Sequence, residues 1–325
     1  MKTLLVTGGS GFIGSHFIRR FHRARPDWKV INLDKLTYCG NRENTRLLEG
    51  NLRYEFARAD ICDQKAVDPL MARANAVMHF AAETHVDRSI ESAEDFLMTN
   101  VFGSRVLIEA ARRHKIKRFL HVSTDEVYGS LAGGSALESD PLEPSSPYSA
   151  SKAASDLLAR SYWKTYKQPV IITRCTNNYG PNQFPEKVIP LFVTNLLEGK
   201  TVPLYGSGQN QRDWIYVEDH CAALELVFDR GQDGEIYNIG AGNEISNLEL
   251  TRTILKLMGA DESSIRPVED RLGHNFRYSV NIDKIKRLGF RPSVDWKEGL
   301  RKTIEWYTQH PEWWKPLKKD KFTVK

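Results

Sequence analysis

The chain has 325 residues, 41% of them hydrophobic, which is enough for one large or two moderate globular domains with a full core. The net charge of +5 is modest and not concentrated in a basic patch, and no apolar run has transmembrane length, so we expect neither nucleic acid nor a membrane as partner. The cysteines at positions 39, 62, 175 and 221 lack metal-site spacing and a disulfide-rich context, so we expect no metal and a reducing, cytoplasmic location.

The first predicted elements are a strand, a glycine-rich turn and a helix. The strand Leu4-Leu5-Val6 leads into the turn Gly8 to Gly14, with the pattern G-x-x-G-x-x-G, and residues 15–23 have helical periodicity. Such glycines let the backbone approach a pyrophosphate at the helix N-terminus. The next strand, Val30 to Leu33, ends in Asp34, a residue type that binds ribose hydroxyls and repels the extra phosphate of NADP. The sequence therefore predicts an NAD site.

The alternation of strands and helices continues along the chain. Residues 54–59 and 76–80 are predicted strands, and the amphipathic pattern from Phe96 to His114 predicts a long helix. Asp60 follows the first of these strands, where it could bond an adenine amino group or cap a helix, and both interpretations stay open. Small Ala81 and Ala82 follow the second, where a dinucleotide could lie close.

The strand from Phe119 ends at Thr124, Asp125 and Glu126. Ligands of parallel α/β sheets bind at such strand ends. Two adjacent carboxyl groups repel each other as anions, so their pKa values can be driven apart to give one acid and one base. The alternative, a solvated turn after a core strand, stays open for these residues alone.

A helix with a serine cap and Pro147 in its first turn is predicted next, up to Tyr166. Tyr148 and Lys152 are four residues apart and so lie on one face of this helix. A nearby ammonium group would lower the tyrosine pKa and make Tyr148 a base. A packed surface pair is the simpler interpretation of these two residues without the NAD turn.

The Gly8 to Gly14 turn, Asp34 and the Tyr148/Lys152 pair together resemble the extended short-chain dehydrogenase/reductase superfamily. The Thr124-Asp125-Glu126 run and the segment Ala81 to Ser89 narrow the resemblance, over essentially the whole chain, to the nucleotide-sugar 4,6-dehydratases. The resemblance implies an α/β fold: a Rossmann-type doubly wound parallel sheet with a smaller mixed α/β substrate-binding domain. We expect an NAD-binding domain at residues 1–178 and a substrate domain at 179–325, with segments interleaved into the first.

The reaction implied by the resemblance converts dTDP-glucose to a 4-keto-6-deoxy sugar with a tightly bound NAD. Tyr148, assisted by Lys152, takes the proton of the 4-hydroxyl, and Thr124 bonds the developing carbonyl. Glu126 removes the C5 proton, and Asp125 protonates the departing C6 hydroxyl. UDP-glucose as substrate, a nucleotide-sugar epimerase or decarboxylase, and a non-catalytic NAD-binding regulator are the alternatives.

The resemblance also implies the binding residues. Leu272 stands where the family pattern has proline, and Thr84 where it has serine, so loop geometry and fine substrate preference are in question. For Arg271 and His274 an ordinary surface loop is an equal alternative from the residues alone. The implied NAD-binding residues are Gly8, Gly11, Phe12, Ile13, Gly14, Asp34, Lys35, Leu36, Thr37, Asp60, Ile61, Phe80, Ala81, Ala82, Glu83, Thr84, Thr99, Tyr148, Lys152 and Asn178. The implied substrate-binding residues are Thr84, Thr124, Asn177, Lys187, Val188, Pro203, Leu204, Tyr205, Arg212, Asn247, Asp270, Arg271 and His274.

The family pairs two helices from each subunit in a four-helix bundle, which implies a homodimer here. These helices are Phe96 to His114 and Tyr148 to Tyr166, and their apolar residues include Val106, Leu107, Leu157 and Leu158. Part of that apolar surface must also cover the parent sheet. Near the end of the chain, Trp306, Tyr307, Trp313 and Trp314 are interpreted as packing residues and the basic tail Lys315 to Lys325 as solvated.

Overall fold

The computed structural model describes residues 1–318. The strands are β1 (Lys2–Thr7), β2 (Trp28–Asp34), β3 (Tyr54–Arg58), β4 (Ala76–His79), β5 (Arg118–Thr124), β6 (Val170–Cys175), β7 (Asn177–Tyr179), β8 (Val202–Tyr205), β9 (Gln211–Tyr216), β10 (Ile236–Ile239), β11 (Glu244–Ser246) and β12 (Ile265–Val268). The α-helices are α1 (Phe12–Ala24), α2 (Gln64–Met71), α3 (Val86–Glu91), α4 (Glu94–Phe96), α5 (Ser104–Arg113), α6 (Pro147–Tyr166), α7 (Val188–Leu197), α8 (Val217–Arg230), α9 (Asn247–Leu257), α10 (Asp283–Leu288), α11 (Trp296–Gln309) and α12 (Pro311–Lys318).

The large sheet has seven parallel strands in the order β3-β2-β1-β4-β5-β6-β10. Its register aligns the carboxyl ends: Thr7 of β1 lies between Leu33 of β2 and His79 of β4, and Thr124 of β5 pairs with Cys175 of β6. The chain order reverses between β1 and β4, which is where ligands of doubly wound sheets bind. The predicted Rossmann-type parallel sheet is confirmed.

Side chains on both faces of the large sheet are apolar, as expected for a sheet covered on both sides. Leu4 and Val6 of β1 pack on one face with Phe17 of α1 and Leu224 of α8. Leu5, between them, packs on the other face with α2 and α5. Two-sided burial therefore follows directly from the alternation of side chains along the strand.

A second unit has its own core. It contains a small sheet in the order β11-β9-β7, the pair β12-β8, and the helices α7, α9, α11 and α12. Tyr307 and Trp314 are buried in this core, and Trp306 and Trp313 pack against it. Two later elements return to the large sheet: β10 pairs with β6, and α8 packs beside α1. The chain therefore crosses between the two units more than once.

The predicted helix from Phe96 to His114 is interrupted. A π-helical turn, Leu97–Gly103, joins α4 to α5. Asn100 in this turn bonds the backbone N–H and C=O of Glu83, at 2.9 and 3.0 Å, and the Ser151 hydroxyl at 2.8 Å. The widened turn thus holds the segment after β4 against α6, which a regular helical pattern does not predict.

The residues expected at a dimer interface separate into two groups. Val106 and Leu107 are buried in the chain's own core, so their place at a subunit interface is excluded. Leu157 is 53% exposed, and Leu97, Met98 and Phe102 of the π-helical turn are also exposed. The free apolar side chains of this region thus belong to the π-helical turn and α6.

Among residues 1–318, every helix is too short or too polar to span a bilayer. The four cysteines are all free. The basic tail starts inside α12, where Lys318 Nζ lies 2.7 Å from Asn195 Oδ1 and 2.9 Å from Glu198 Oε2. The rest of the predicted solvated tail, residues 319–325, lies outside the described residues.

Candidate active site

A cavity of about 300 Å³ lies at the carboxyl edge of the large sheet. Each of the predicted catalytic residues lines it, together with the predicted NAD-binding residues other than Leu36. Of the predicted substrate-binding residues, Thr84, Thr124, Asn177 and Lys187 line it. The cavity thus collects residues from the ends of six neighbouring strands, β1 to β6.

The glycine-rich turn forms the floor of the cavity. Gly8 has a φ of +70°, and a Cβ there would lie 2.6 Å from the backbone nitrogen of Ala81. A Cβ on Gly14 would lie 2.3 Å from the carbonyl oxygen of Gly8. Helix α1 starts immediately after Gly11 without a side-chain cap, so its N-terminal dipole faces the cavity unscreened by a side chain. This arrangement fits a dinucleotide pyrophosphate.

Asp34 ends β2 at the same edge. Its carboxylate accepts from the backbone N–H of Ser10 at 2.9 Å and of Leu36 at 2.8 Å, and burial raises its pKa. Each oxygen keeps a lone pair for a ribose hydroxyl. Leu36 has a φ of 58° and lies off the cavity lining, so its contribution is the backbone N–H that orients Asp34.

Asp60 lies on the cavity wall beyond Asp34. Its Oδ1 accepts from the backbone N–H of Cys62 at 2.9 Å, and its Oδ2 lies 2.7 Å from Lys35 Nζ. The helix after β3 is capped by Asp63, which accepts from the N–H groups of Lys65 and Ala66. The helix-cap interpretation of Asp60 is therefore wrong, and its carboxylate is available to the cavity.

The predicted acid-base residues, Asp125 and Glu126, follow β5 in a 3₁₀ turn, Asp125–Tyr128. Thr124 caps this turn: its hydroxyl accepts from the Glu126 N–H at 3.3 Å and donates to Asp125 Oδ1 at 3.1 Å. Asp125 is 3% exposed, and its Oδ2 has no partner among the described residues. Burial first, and the Glu126 charge second, raise the Asp125 pKa to about 8. Asp125 is therefore an acid at neutral pH beside the less buried Glu126.

Tyr148 and Lys152 enter the cavity from α6. Ser146 caps this helix by accepting from the Ser149 N–H, and Pro147 is its first residue. The Tyr148 phenol lies beside the Thr124 hydroxyl, which acts to lower its pKa, so the tyrosine is next to the turn that carries Asp125 and Glu126. The ammonium of Lys152 donates to the carbonyl of Val122 at 2.8 Å.

The expected lowering of the Tyr148 pKa by Lys152 is wrong for this structure. Burial, and then the negative charge of Glu126, raise the Tyr148 pKa well above its ordinary value. Burial also lowers the Lys152 pKa. Lys152 thus anchors α6 to β5 through a backbone carbonyl, and any further positive charge near the phenol must come from a bound ligand.

The remaining predicted substrate residues lie off this cavity, and part of them form a second group. The Tyr205 ring lies edge-on to His274 with centroids 6.2 Å apart, and His274 Nδ1 is 2.6 Å from Asp270 Oδ1. Arg271 Nη1 is 3.7 Å from Asp87, just beyond the cavity wall. Leu272, the departure from the family's proline, is 78% exposed. The other members are placed in regular elements: Val188 starts α7, Pro203 and Leu204 lie in β8, and Asn247 starts α9.

Arg212 is buried in β9 between the two groups. Its guanidinium donates to the backbone carbonyls of Gln211 at 2.7 Å, Asn275 at 2.9 Å and Phe276 at 3.2 Å. It also lies 4.3 Å from the centroid of the Tyr278 ring. These contacts fix the fork of the guanidinium in place, which suits recognition of phosphate oxygens.

A family model described as GDP-mannose 4,6 dehydratase matches residues 5–303. The chain belongs to this family. A dTDP-glucose 4,6-dehydratase of Streptomyces niveus is 52% identical over 320 residues, which cover 97% of this chain and 95% of the relative. Two solved structures are similar. One is a double mutant of DesIV, a dTDP-glucose 4,6-dehydratase from Streptomyces venezuelae with NAD bound, with a TM-score of 0.95 and 53% identity over 97% of this chain and 99% of that one. The other, dTDP-glucose 4,6-dehydratase from Bacillus anthracis with NAD, has a TM-score of 0.92 and 43% identity over 98% and 100%.

Several residues that line the cavity of this family member belong to none of the motifs described above. They include Cys39, Gly40, Gln183, Phe184 and Glu186. The side chain of Glu186 is 2% exposed and accepts from the Tyr38 hydroxyl at 2.9 Å, and burial raises its pKa. An acidic residue directly before the predicted Lys187 was the available signal, but the surrounding segment has no regular periodicity to place it.

Proposed function

We propose that the protein converts dTDP-glucose to dTDP-4-keto-6-deoxyglucose and water, with NAD as a cofactor that is regenerated in each turnover. The observation that carries the proposal is the pair Asp125 and Glu126 in one cavity with Tyr148, because the Asp125 pKa of about 8 keeps one carboxyl protonated. An epimerase needs no such pair, so an acid-base pair supports a dehydratase. The relatives named dTDP-glucose 4,6-dehydratase support the same activity.

The glycine-rich turn with Gly8 and Gly14 would hold the NAD pyrophosphate, Asp34 the adenosine ribose, and Asp60 the adenine. The pocket beside Ala81 and Ala82, also lined by the remaining NAD-binding residues predicted from the sequence, would take the nicotinamide half. When bound, NAD supplies the reversible oxidation and reduction of the sugar. The similar structures from Streptomyces venezuelae and Bacillus anthracis both contain NAD, which supports this assignment.

The chain's own residues supply the proton transfers. Tyr148, whose pKa is raised here, would ionise once a bound cofactor places positive charge near it, and would then receive the proton of the sugar 4-hydroxyl. The Thr124 hydroxyl would turn from Asp125 to the sugar oxygen. Glu126 removes the C5 proton, which the 4-ketone acidifies. Asp125 donates its proton to the C6 hydroxyl so that water leaves. Lys152 orients α6 beneath these groups through Val122.

The second group of residues would bind the nucleotide. The fixed guanidinium of Arg212 would bind the diphosphate. The Tyr205 ring, which contacts His274, would stack on the nucleobase. Together with Asn177 and Lys187 in the cavity, these residues would place the sugar over Tyr148. On this assignment the unit built around β7–β9 is the substrate domain, interleaved with the NAD-binding domain through α8 and β10.

The proposal includes a homodimer in a reducing, cytoplasmic compartment. The exposed Leu97, Met98, Phe102 and Leu157 lie on neighbouring elements that contact each other, so they can form one apolar surface. Two copies of this surface related by a two-fold axis would make a four-helix bundle. The four free cysteines support the reducing compartment.

Mass spectrometry of the product tests the activity. The protein is incubated with dTDP-glucose and, separately, with UDP-glucose. We expect loss of one water from dTDP-glucose, with faster turnover than for UDP-glucose. Conversion to an isomer of unchanged mass, separated from the substrate by chromatography, would indicate an epimerase. In a third incubation with a nucleotide-linked uronic acid, loss of carbon dioxide would indicate a decarboxylase, and either result would overturn the proposal. NAD released from the denatured protein identifies the resident cofactor.

A further inference from the structure

Glu126 receives a hydrogen bond from a residue that is far away in the chain. The Tyr278 hydroxyl lies 3.4 Å from Glu126 Oε2, although 152 positions separate the two residues. Tyr278 is 4% exposed and lies in a segment without regular secondary structure between β12 and α10. A buried hydroxyl aimed at a carboxylate in the cavity wall is a contact to the reacting group rather than ordinary packing.

The direction of this hydrogen bond is determined by Asn275. The side-chain nitrogen of Asn275 donates to the Tyr278 oxygen at 2.7 Å. The hydroxyl oxygen therefore acts as acceptor toward Asn275 and its proton is left for Glu126. Burial, followed by the charge of Glu126, raises the Tyr278 pKa, so the phenol stays a donor at neutral pH.

The tyrosine itself is held on two further sides. Its backbone N–H donates to the Gln211 carbonyl at 3.3 Å, which ties it to β9. Its ring lies under the Arg212 guanidinium, 4.3 Å from the centroid, and that guanidinium bonds the carbonyls of Asn275 and Phe276. The hydroxyl is thus presented to Glu126 from a fixed frame.

We infer that Tyr278 is a positioning residue, whose hydroxyl holds the Glu126 carboxylate in the orientation that removes the C5 proton. The inference rests on the proposed function. A carboxylate that has lost its donor can rotate about its side-chain bonds, and misplacement of a base by about 1 Å costs on the order of a hundredfold in rate. The same contacts connect Glu126, through Tyr278, to Arg212, the residue proposed to bind the diphosphate. The positions of the bound nucleotide and of the Glu126 carboxylate are therefore fixed by the same group of residues.

The variant Tyr278→Phe removes the hydroxyl and keeps the ring beneath Arg212. We expect nicotinamide reduction by dTDP-glucose to stay near the wild-type rate and the KM to stay within about twofold. Exchange of the C5 hydrogen with deuterated solvent, and loss of water, should fall by about tenfold or more. Reduced nicotinamide should therefore accumulate during a single turnover, which a loss of packing alone would not cause.

Tyr237→Phe is the matched control. Tyr237 is 3% exposed in β10, its hydroxyl accepts from the Gln232 N–H at 3.0 Å, and Lys284 lies 4.7 Å from its ring centroid. The Tyr237→Phe variant therefore also loses a buried hydroxyl beside a positively charged side chain, but at a residue that does not line the cavity. We expect wild-type C5 exchange in this variant.

A double-mutant cycle decides whether Tyr278 acts through Glu126. In the Glu126→Gln background, adding Tyr278→Phe should change residual C5 exchange by less than about twofold, because the base is already gone. Wild-type C5 exchange in Tyr278→Phe, or an equal loss in both backgrounds, would overturn the inference. If the wild-type protein removes no water from dTDP-glucose, the proposed function fails instead, and that outcome is read from the wild type alone.

Discussion

At the scale of single residues, two adjacent carboxyl groups differ in burial, and we expect this difference to give them different roles. Glu126 is partly exposed and meets the Tyr278 hydroxyl, whereas Asp125 is enclosed with an oxygen that has no partner among the described residues. We expect Glu126→Gln to keep C4 oxidation but lose C5 exchange. Asp125→Asn should keep C5 exchange and slow the loss of water. Incubation of the sugar nucleotide in deuterated water measures both steps, as deuterium gained at C5 and as water lost from the product, and wild-type C5 exchange in both variants would refute the division.

The pH dependence follows from the raised pKa of Asp125. Because burial and the Glu126 charge raise this pKa from 3.8 to about 8, the folded protein keeps a proton that the unfolded chain loses from about pH 4 upward. The stability contributed by this group is present at low pH and declines as the pH rises through that window, by up to about 1.4 kcal/mol per pH unit. Asp125→Asn does not titrate, so we expect its unfolding free energy to exceed the wild-type value increasingly between about pH 4 and pH 8.

On the proposed function, the same proton should also govern the rate of water loss. Once the pH passes about 8, Asp125 becomes an anion and the C6 hydroxyl loses its donor. We expect the single-turnover rate of water loss to fall above that pH while C5 exchange persists. Urea unfolding at several pH values and rapid-quench assays check the two effects. A stability difference that is independent of pH would show that Asp125 is ionised in the folded protein.

Asp34 is the residue expected to select the cofactor. Asp34→Ala should weaken NAD binding by about tenfold or more and reduce the preference for NAD over NADP, because the substitution removes both a hydrogen-bond acceptor and a negative charge. Equilibrium titration with both cofactors measures this. Asp63→Ala is the control, since Asp63 also accepts two backbone N–H bonds but caps α2 instead of lining the cavity. Equal wild-type affinity for NAD and NADP would remove the role given to Asp34.

At the scale of elements, the turn between β1 and α1 requires glycine for two separate reasons. Gly8 has a positive φ and no room for a Cβ beside Ala81, whereas Gly50 has a φ of +79° with nothing within 4 Å of a Cβ. Gly50→Ala should therefore cost about 1–2 kcal/mol of unfolding free energy from backbone strain alone. Gly8→Ala should cost more than that and also lower NAD affinity. Denaturant unfolding and NAD titration of both variants compare them; equal losses in both would mean that the close approach to Ala81 is unimportant.

The elements that sequence periodicity predicted well are those whose pattern is local. The strand before the glycine turn and the helix capped by Ser146 follow from alternation, glycines and a cap. The π-helical turn escaped because it is fixed by the bonds of Asn100 to Glu83 and Ser151, which are tertiary contacts. Tyr278 escaped for the same reason, since its partner Glu126 is remote in sequence. Local sequence patterns thus predicted the residues at the strand ends. The contacts that hold those residues in place join distant parts of the chain and are seen only in the folded structure.

At the scale of the whole molecule, the apolar surface on the π-helical turn and α6 faces away from the chain's own core. Burying exposed leucine, methionine and phenylalanine side chains stabilises an assembly by roughly 25 cal/mol per Å² of apolar area. A charge placed in such a surface is costly unless it is paired. We therefore expect Leu157→Glu to dissociate a dimer that the wild type forms at micromolar concentration.

Sedimentation of the wild type and two variants tests this expectation. Leu52→Glu is the control, because Leu52 is 92% exposed on a turn before β3 and distant in sequence from the π-helical turn and α6. It should stay dimeric, whereas Leu157→Glu should sediment as a monomer. Helix α6 also contains Tyr148 and Lys152, which line the cavity. Loss of the partner subunit should therefore hold these two residues less firmly in the cavity and reduce turnover in Leu157→Glu. A Leu157→Glu variant that remains dimeric would place the subunit contact elsewhere. A wild-type monomer would remove the contact, and α6 would then have to be held in position by this chain alone.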